Sequence, residues 1–165
     1  MRVCVLVHIH ACCNPLMKAI KIIILTLLSL ALPLLDIITF RHTCDFKGDM
    51  GPEFYGLPFI YRTEIPWVNS FNGDFYILGY FGNVLFFGII LAILALVISK
   101  LKLNDKAKKV RDTTWIGVSA LLIFFAGLFF FVTEWRFNWT TAEMEEYMDQ
   151  STNCSRTLDF ISTGE

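Results

Sequence analysis

The side chains of this sequence that could do metal chemistry are concentrated near its N-terminus. Two of the three histidines and three of the five cysteines precede Met17. Imidazole and thiolate groups ligate soft metals, and the densest set consists of His8, His10, Cys12 and Cys13. A structural metal site usually draws on two separated ligand pairs, and no second cluster lies nearby in the sequence. We therefore assign no metal site, and we expect no cofactor.

Catalytic chemistry finds no better support in the rest of the chain. The carboxylates and the histidine of segment 40–74 match no acid/base or metal-ligand spacing, and no nucleophile stands beside a base. Carboxylates in such a loop are usually solvated. We assign no catalytic residue.

Four other positions are candidates for binding or transport. Arg62, Glu64 and Trp67 lie among aromatic residues and could form a recognition surface, although aromatic residues of this kind also collect at a membrane interface. Asn83 is strongly polar inside an otherwise apolar stretch. For Asn83 we favour a hydrogen bond to a neighbouring helix over a role in transport.

Composition indicates the class of structure that must position these residues. The 165 residues are 55% hydrophobic and 18% charged, with a mean hydropathy of +0.56. These values exclude a disordered chain, a collagen-like repeat and a coiled coil. Three apolar runs, at about 19–39, 75–98 and 115–133, are each long enough for a helix to cross about 30 Å of hydrocarbon. We expect an all-α integral membrane protein with three transmembrane helices.

The distribution of Lys and Arg predicts how these helices are oriented. The linker 100–114 contains six basic residues, whereas the loop 40–74 contains three and the tail 134–165 contains two. The positive-inside rule places the linker and the N-terminus in the cytoplasm and the C-terminus outside. This layout, with the run Tyr55-Gly56-Leu57-Pro58-Phe59, resembles that of small multi-pass bacterial membrane proteins, and the resemblance implies a bacterial inner membrane but no particular function.

The first sixteen residues differ in character from the rest of the chain. Met17 precedes a short basic flank and an apolar core, which is the usual beginning of a first membrane segment. We interpret residues 1–16 as an unstructured extension or as the result of a mis-assigned start. Residues 17–165 then form a single integral membrane domain.

The loop 40–74 and the tail 134–165 are expected to form a folded extracytoplasmic cap. The loop is rich in Pro, Gly and aromatic residues, and an alternation within it suggests a short β-hairpin. Asp74 is a good N-cap for the second transmembrane helix. A capping-box pattern at Thr140 predicts a short amphipathic helix over about 141–150.

Cys44 and Cys154 are the two cysteines that this topology places outside. Because that space is oxidising in a cell envelope, a disulfide between them would tie the tail to the loop. The sequence does not show whether their Cα atoms come within about 7 Å of each other, so two unpaired thiols remain the alternative.

Small residues recur along one face of the second apolar run. Gly88, Ala92, Ala95 and Ser99 are spaced four, three and four residues apart, which lets another helix approach closely. Packing within the chain is the default interpretation, and association between copies is the alternative.

These patterns favour an interaction protein over an enzyme. We expect a non-enzymatic interaction or accessory component that acts through its extracytoplasmic cap. Its expected partners are the lipid bilayer and either further copies of itself or another membrane protein, but not a nucleic acid. A small oligomeric channel or transporter is the first alternative, and a membrane-embedded enzyme is the second.

Overall fold

The computed structural model of the protein describes residues 3–46, 49–64, 72–101, 104–142, 149 and 153–160. Its helices are α1 (Val3–Leu34), α2 (Ile77–Ser99) and α3 (Asp105–Val132). The helix α1 includes residues 3–16, part of the segment that the sequence analysis interpreted as an unstructured extension or as the result of a mis-assigned start. The helix α3 begins well before residue 115, so the connection between α2 and α3 is shorter than the linker 100–114.

Six strands in the described residues form one mixed sheet. They are β1 (Ile38–Phe46), β2 (Asp49–Gly56), β3 (Arg62–Glu64), β4 (Asn72–Tyr76), β5 (Glu134–Asn138) and β6 (Asn153–Phe160). The order across the sheet is β5-β4-β3-β2-β1-β6, and all neighbours are antiparallel except β4 and β5, which are parallel. The all-α prediction is therefore wrong, and the described part of the chain is a mixed α/β structure in which α1, α2 and α3 pack against a six-stranded sheet.

The strands were missed because their partners are distant in sequence. β1 pairs with β6, with Ile38 opposite Phe160 and Thr43 opposite Ser155. Strand formation depends on cross-strand neighbours more than on local backbone preference, so these segments carry little signal by themselves. Even Thr39, which the sequence assigned to the first transmembrane segment, belongs to β1.

The structure describes only part of the predicted hairpin and little of the predicted tail helix. The strand β3 falls within the alternation that suggested a hairpin, but it pairs with β2 and β4. The return strand of that hairpin, around residues 67–71, lies outside the described residues. The predicted helix over 141–150 also lies largely outside them.

The second helix begins without the predicted N-cap. Asp74 lies in β4, opposite Thr63 of β3, and the N-cap position of α2 is occupied by Tyr76, whose side chain makes no capping hydrogen bond. The backbone N–H of Tyr76 instead donates to the Tyr61 carbonyl oxygen at 2.7 Å. A strand therefore continues directly into a helix, which fixes the direction in which α2 leaves the sheet.

The largest core cluster lies where one face of the sheet meets the helix ends. Its buried members are Ala31, Leu34, Tyr61, Phe75 and Ala126. Phe75 of β4 makes edge-on contacts with the rings of Tyr61, Phe130 and Trp135, with centroid separations of 5.8, 6.0 and 5.4 Å. These aromatic contacts join the sheet to the C-terminal end of α3.

Away from the sheet, the helices expose apolar side chains. Two of them, α2 and α3, are long and apolar enough to cross a membrane, and only 11% of the apolar window of each is buried. The segment Ala19–Leu34 of α1 is a shorter apolar helix. Exposed apolar surface of this extent marks an interaction with lipid or protein. At the end remote from the sheet, Lys21 of α1 and Asp112 of α3 form an ion pair at 2.7 Å.

Candidate functional site

Arg62 is the centre of a buried charged cluster between the sheet and the helices. It lies on β3 with a side chain only 5% exposed. Its Nη2 is 2.6 Å from Oδ2 of Asp36, and its Nη1 is 2.7 Å from Oε1 of Glu64. Asp36 follows α1 with a φ of 43°, a left-handed conformation that Asp tolerates better than most residues and that turns the chain from α1 into β1. The buried ion pair therefore links α1 to the sheet.

Two aromatic rings lie against the Arg62 guanidinium. Its Cζ is 4.5 Å from the centroid of the Tyr55 ring and 5.3 Å from that of Phe129, distances at which cation–π attraction operates. Within the described residues, Nε of Arg62 has no hydrogen-bond partner. The guanidinium is thus held by two carboxylates and two rings, and it contributes to packing as well as to charge pairing.

Two tyrosine hydroxyls bond the C-terminal part of α1. The hydroxyl of Tyr61 lies 2.6 Å from the Pro33 carbonyl oxygen and 3.0 Å from Oδ1 of Asp36, and it donates towards both. The hydroxyl of Tyr80, in α2, donates to the Leu30 carbonyl oxygen at 2.8 Å. The last four carbonyls of a helix have no partner within it, so the bond to Pro33 satisfies a group that would otherwise be buried without one.

A second ion pair lies beside this cluster on the same face of the sheet. We call the cluster and the second pair together the charged row. Arg41 of β1 binds Glu53 of β2, and the Tyr55 hydroxyl donates to the other oxygen of that carboxylate. Asp159 of β6 lies 4.0 Å from Arg41. Because the Arg62 guanidinium also lies over the Tyr55 ring, the two ion pairs form one continuous row.

Burial and charge pairing shift the titration of this row in different directions. Asp36 lies beyond the end of α1, and burial raises its pKa to about 6, although the Arg62 guanidinium opposes the rise. Burial and the nearby Asp36 carboxylate raise the pKa of Tyr61 well above its usual value. Burial by itself would raise the pKa of Glu53. The hydrogen bonds from Arg41 and Tyr55 outweigh the effect of burial, so the pKa of Glu53 is lower than normal.

The arrangement is suited to holding elements together. Both arginines are paired with carboxylates, and both tyrosines donate to oxygen atoms of the protein. The hydroxyl of Thr39 hydrogen-bonds the Asp36 carboxylate, which is also bound by Arg62 and Tyr61. Among the residues described, no group of three His, Cys, Asp or Glu side chains could hold a metal ion. Perturbed carboxyl pKa values mark active sites, but structural ion-pair networks perturb them as well.

Asn83 forms a second link between the helices and the sheet. Its side chain is fully buried, its Nδ2 donates to the Phe59 carbonyl oxygen at 2.7 Å, and its Oδ1 accepts from the Phe59 backbone N–H at 2.9 Å. The favoured interpretation, a bond to a neighbouring helix, is wrong, since the partner is the loop between β2 and β3. Glycine permits the close approach: a Cβ at Gly82 would lie 2.5 Å from the Phe59 ring, and one at Gly79 would lie 1.9 Å from the Ile60 carbonyl oxygen.

Two of the predicted recognition residues, Arg62 and Glu64, belong to the buried charged cluster. Arg62 is buried, and Glu64 is a half-exposed partner of it. Trp67 lies outside the described residues. Charged residues of a loop are expected at the surface by default, and here the buried Asp36 carboxylate draws the arginine inward.

The predicted small-residue stripe is divided between two environments. A Cβ at Gly88 would lie 3.7 Å from the Ser29 side chain, so Gly88 faces α1. Ala95 and Ser99 line a cavity of about 180 Å³ at the end of the helices remote from the sheet. Ala92 is exposed. Close packing with α1 therefore involves part of the stripe.

The structure joins Cys44 and Cys154 by a disulfide. They stand opposite each other in the β1–β6 ladder, with Cα atoms 4.1 Å apart. The bridge spans 110 residues of sequence and ties the edge strand β6 to its neighbour β1.

Sequence reasoning missed most of the residues that build the charged row. The sequence analysis did not single out Asp36, Arg41, Glu53, Tyr55 or Tyr61 for polar contacts. The available signal was weak. Glu53 and Tyr55 are two apart and so share a face of a strand, but only the tertiary structure brings Arg41 and Arg62 to that face.

Comparison with known proteins identifies no relative of this chain. No protein-family model matches it, and neither a curated protein nor a solved structure does so. What the protein does is therefore inferred from its own residues.

Proposed function

We propose that the chain crosses a cell membrane three times, through Ala19–Leu34, Ile77–Ser99 and residues 115–132. In this proposal the N-terminus is cytoplasmic and the sheet is extracytoplasmic, as in a bacterial inner membrane. Two features support it. The sheet lies at the end of the helices opposite the basic residues of segment 100–114, and a disulfide suits an oxidising space. The span through α1 is the least supported, because the apolar part of that helix is short.

Within this topology, the function supported best is that of a non-enzymatic interaction or accessory component acting through the sheet. The observation that carries this proposal is the double attachment of the sheet to the helices. The buried Arg62–Asp36 pair fixes it to α1, and the Asn83–Phe59 hydrogen bonds fix it to α2. A surface mounted rigidly on anchored helices can present a partner site in one fixed orientation.

The two alternatives have weaker support. Transport along a polar pathway needs polar groups free to bind an ion or a solute at membrane depth, and the Asn83 amide is already committed to the Phe59 backbone. Catalysis needs a free nucleophile or base, whereas the described charged row pairs its groups with one another.

Site-specific photo-cross-linking in intact cells tests the proposed function. A photoreactive residue replaces Leu158, which lies on β6 and is 47% exposed. The matched control replaces Val110, which lies near the N-terminal end of α3, remote from the sheet, and is 66% exposed. We expect one defined protein adduct from position 158 and none of the same size from position 110. R62Q should weaken the adduct from position 158, because the sheet then loses its fixed mounting.

A reporter fused after Glu165 tests the topology in the same cells. We expect activity only from a reporter that requires an extracytoplasmic location. A cytoplasmic C-terminus would contradict the topology, and the absence of any position-158 adduct with a correctly placed C-terminus would contradict the interaction role.

A further inference from the structure

An open cleft of about 570 Å³ lies between the sheet and the start of α2, apart from the charged row. Its polar lining includes His42 of β1, Arg156 of β6, Thr140 and Thr141. Its apolar lining includes Phe59 and Leu78. None of the described lining residues is Asp or Glu, so the cleft combines a cationic part with an apolar part.

Arg156 is the principal charge of this cleft. His42 and Arg156 are direct partners in the β1–β6 register, so their side chains share one face of the sheet. The Arg156 guanidinium lies 3.6 Å from the centroid of the Phe40 ring, and such stacking fixes the plane of the guanidinium while leaving its N–H edge free to bind.

The pairing of Arg156 differs from that of the other sheet arginines. Arg41 and Arg62 are each bound to a carboxylate. Within the residues that the structure describes, Arg156 forms no ion pair. Burial and the neighbouring Arg156 lower the pKa of His42. An anion would be attracted to this position, and guanidinium, imidazole and hydroxyl groups all hydrogen-bond phosphate oxygens.

The apolar part of the cleft lies at the level where α2 begins. Leu78 is in the first turn of that helix and is 59% exposed, and Phe59 is 55% exposed. The Asn83 hydrogen bonds hold the Phe59 backbone in place, so this wall is preformed. If α2 enters the bilayer at its first turns, the headgroup region surrounds the mouth of the cleft.

We propose that this cleft binds an anionic phospholipid of the outer leaflet, with Arg156, His42 and Thr140 contacting the phosphate and with Phe59 and Leu78 contacting the glycerol and the first acyl carbons. The proposal rests on the proposed membrane orientation. A lipid fits better than a free phosphate because a free phosphate would leave the exposed apolar wall unused.

Retention of lipid by the purified full chain tests this site. The protein is reconstituted in nanodiscs of equal parts phosphatidylcholine and phosphatidylglycerol, released into mild detergent and examined by native mass spectrometry. We expect the wild type to retain phosphatidylglycerol selectively and R156Q to retain roughly tenfold less, as expected for loss of a charge-assisted contact. H42Q should show a smaller loss.

The matched control is R136Q, on β5 and outside the cleft, with a side chain 81% exposed. It removes one positive charge from the same sheet and should retain as much phosphatidylglycerol as the wild type. F59S separates the two sources of phosphate. It should weaken retention of the diacyl lipid but leave the affinity of the protein for inorganic phosphate unchanged.

Three results would overturn the proposal. They are equal retention by R156Q and the wild type, an equal loss in R136Q, and competition by inorganic phosphate as strong as competition by phosphatidylglycerol, which would indicate a free-anion site. A reporter after Glu165 is measured in the same variants. A cytoplasmic C-terminus would refute the membrane orientation itself, whereas absent lipid selectivity with an extracytoplasmic C-terminus would refute only the lipid site.

Discussion

Replacing Arg62 with glutamine should strongly destabilise the junction between the sheet and α1. R62Q removes the cation that lies 2.6 Å from the buried Asp36 carboxylate and leaves that charge uncompensated. Removing one partner of a buried pair costs about 3–5 kcal/mol. At about 2–4 °C per kcal/mol for a chain of this length, the melting temperature at neutral pH should fall by roughly 6–20 °C.

Acid should reduce the difference between R62Q and the wild type. Burial raises the pKa of Asp36 to about 6, which is above its value in an unfolded chain. The contribution of this group to stability is therefore complete below about pH 4 and is lost as the pH rises through about 6. R62Q removes the guanidinium that opposes the shift, so the pKa of Asp36 rises further and the loss at neutral pH grows. The destabilisation should thus be smaller at about pH 5 than at pH 7.

The assay is thermal unfolding in mild detergent, followed by Trp fluorescence with the disulfide intact. The control is R136Q, whose exposed guanidinium lies 3.8 Å from Asp74 and should contribute less than about 1 kcal/mol. The double variant D36N/R62Q should recover much of the loss because both buried charges are gone. Melting of R62Q within about 2 °C of the wild type, an equal difference at both pH values, or no recovery in the double variant would refute this reasoning.

Two further perturbations test the packing of the sheet. G79A should lower the melting temperature sharply, because its Cβ would lie 1.9 Å from the Ile60 carbonyl oxygen. In the control G117A the added Cβ meets no neighbouring heavy atom within 4 Å, so the melting temperature should stay unchanged or rise slightly. Similar melting curves for the two variants would contradict this. Reducing the Cys44–Cys154 bridge should lower the free energy of unfolding by about 2–4 kcal/mol, because the bridge closes a long loop, and denaturant titrations with and without reductant should reveal the difference.

The positions of the apolar helices follow from the local sequence. The runs at 75–98 and 115–133 correspond closely to α2 and to the apolar part of α3, and the run at 19–39 contains the apolar part of α1. Length and hydropathy are local properties, because a helix satisfies its backbone hydrogen bonds within its own segment. These segments could therefore be identified without knowing what they pack against.

The sheet and the charged row depend on contacts between distant parts of the chain. The segments that form β1 and β6 become strands only by pairing with each other across most of the chain. The sequence predicts a surface position for Arg62, but the turn after α1 places Asp36 beside it and the pair is buried. A strand obtains its hydrogen bonds, and a buried charge its counter-charge, from distant parts of the chain, so neither can be read from local sequence.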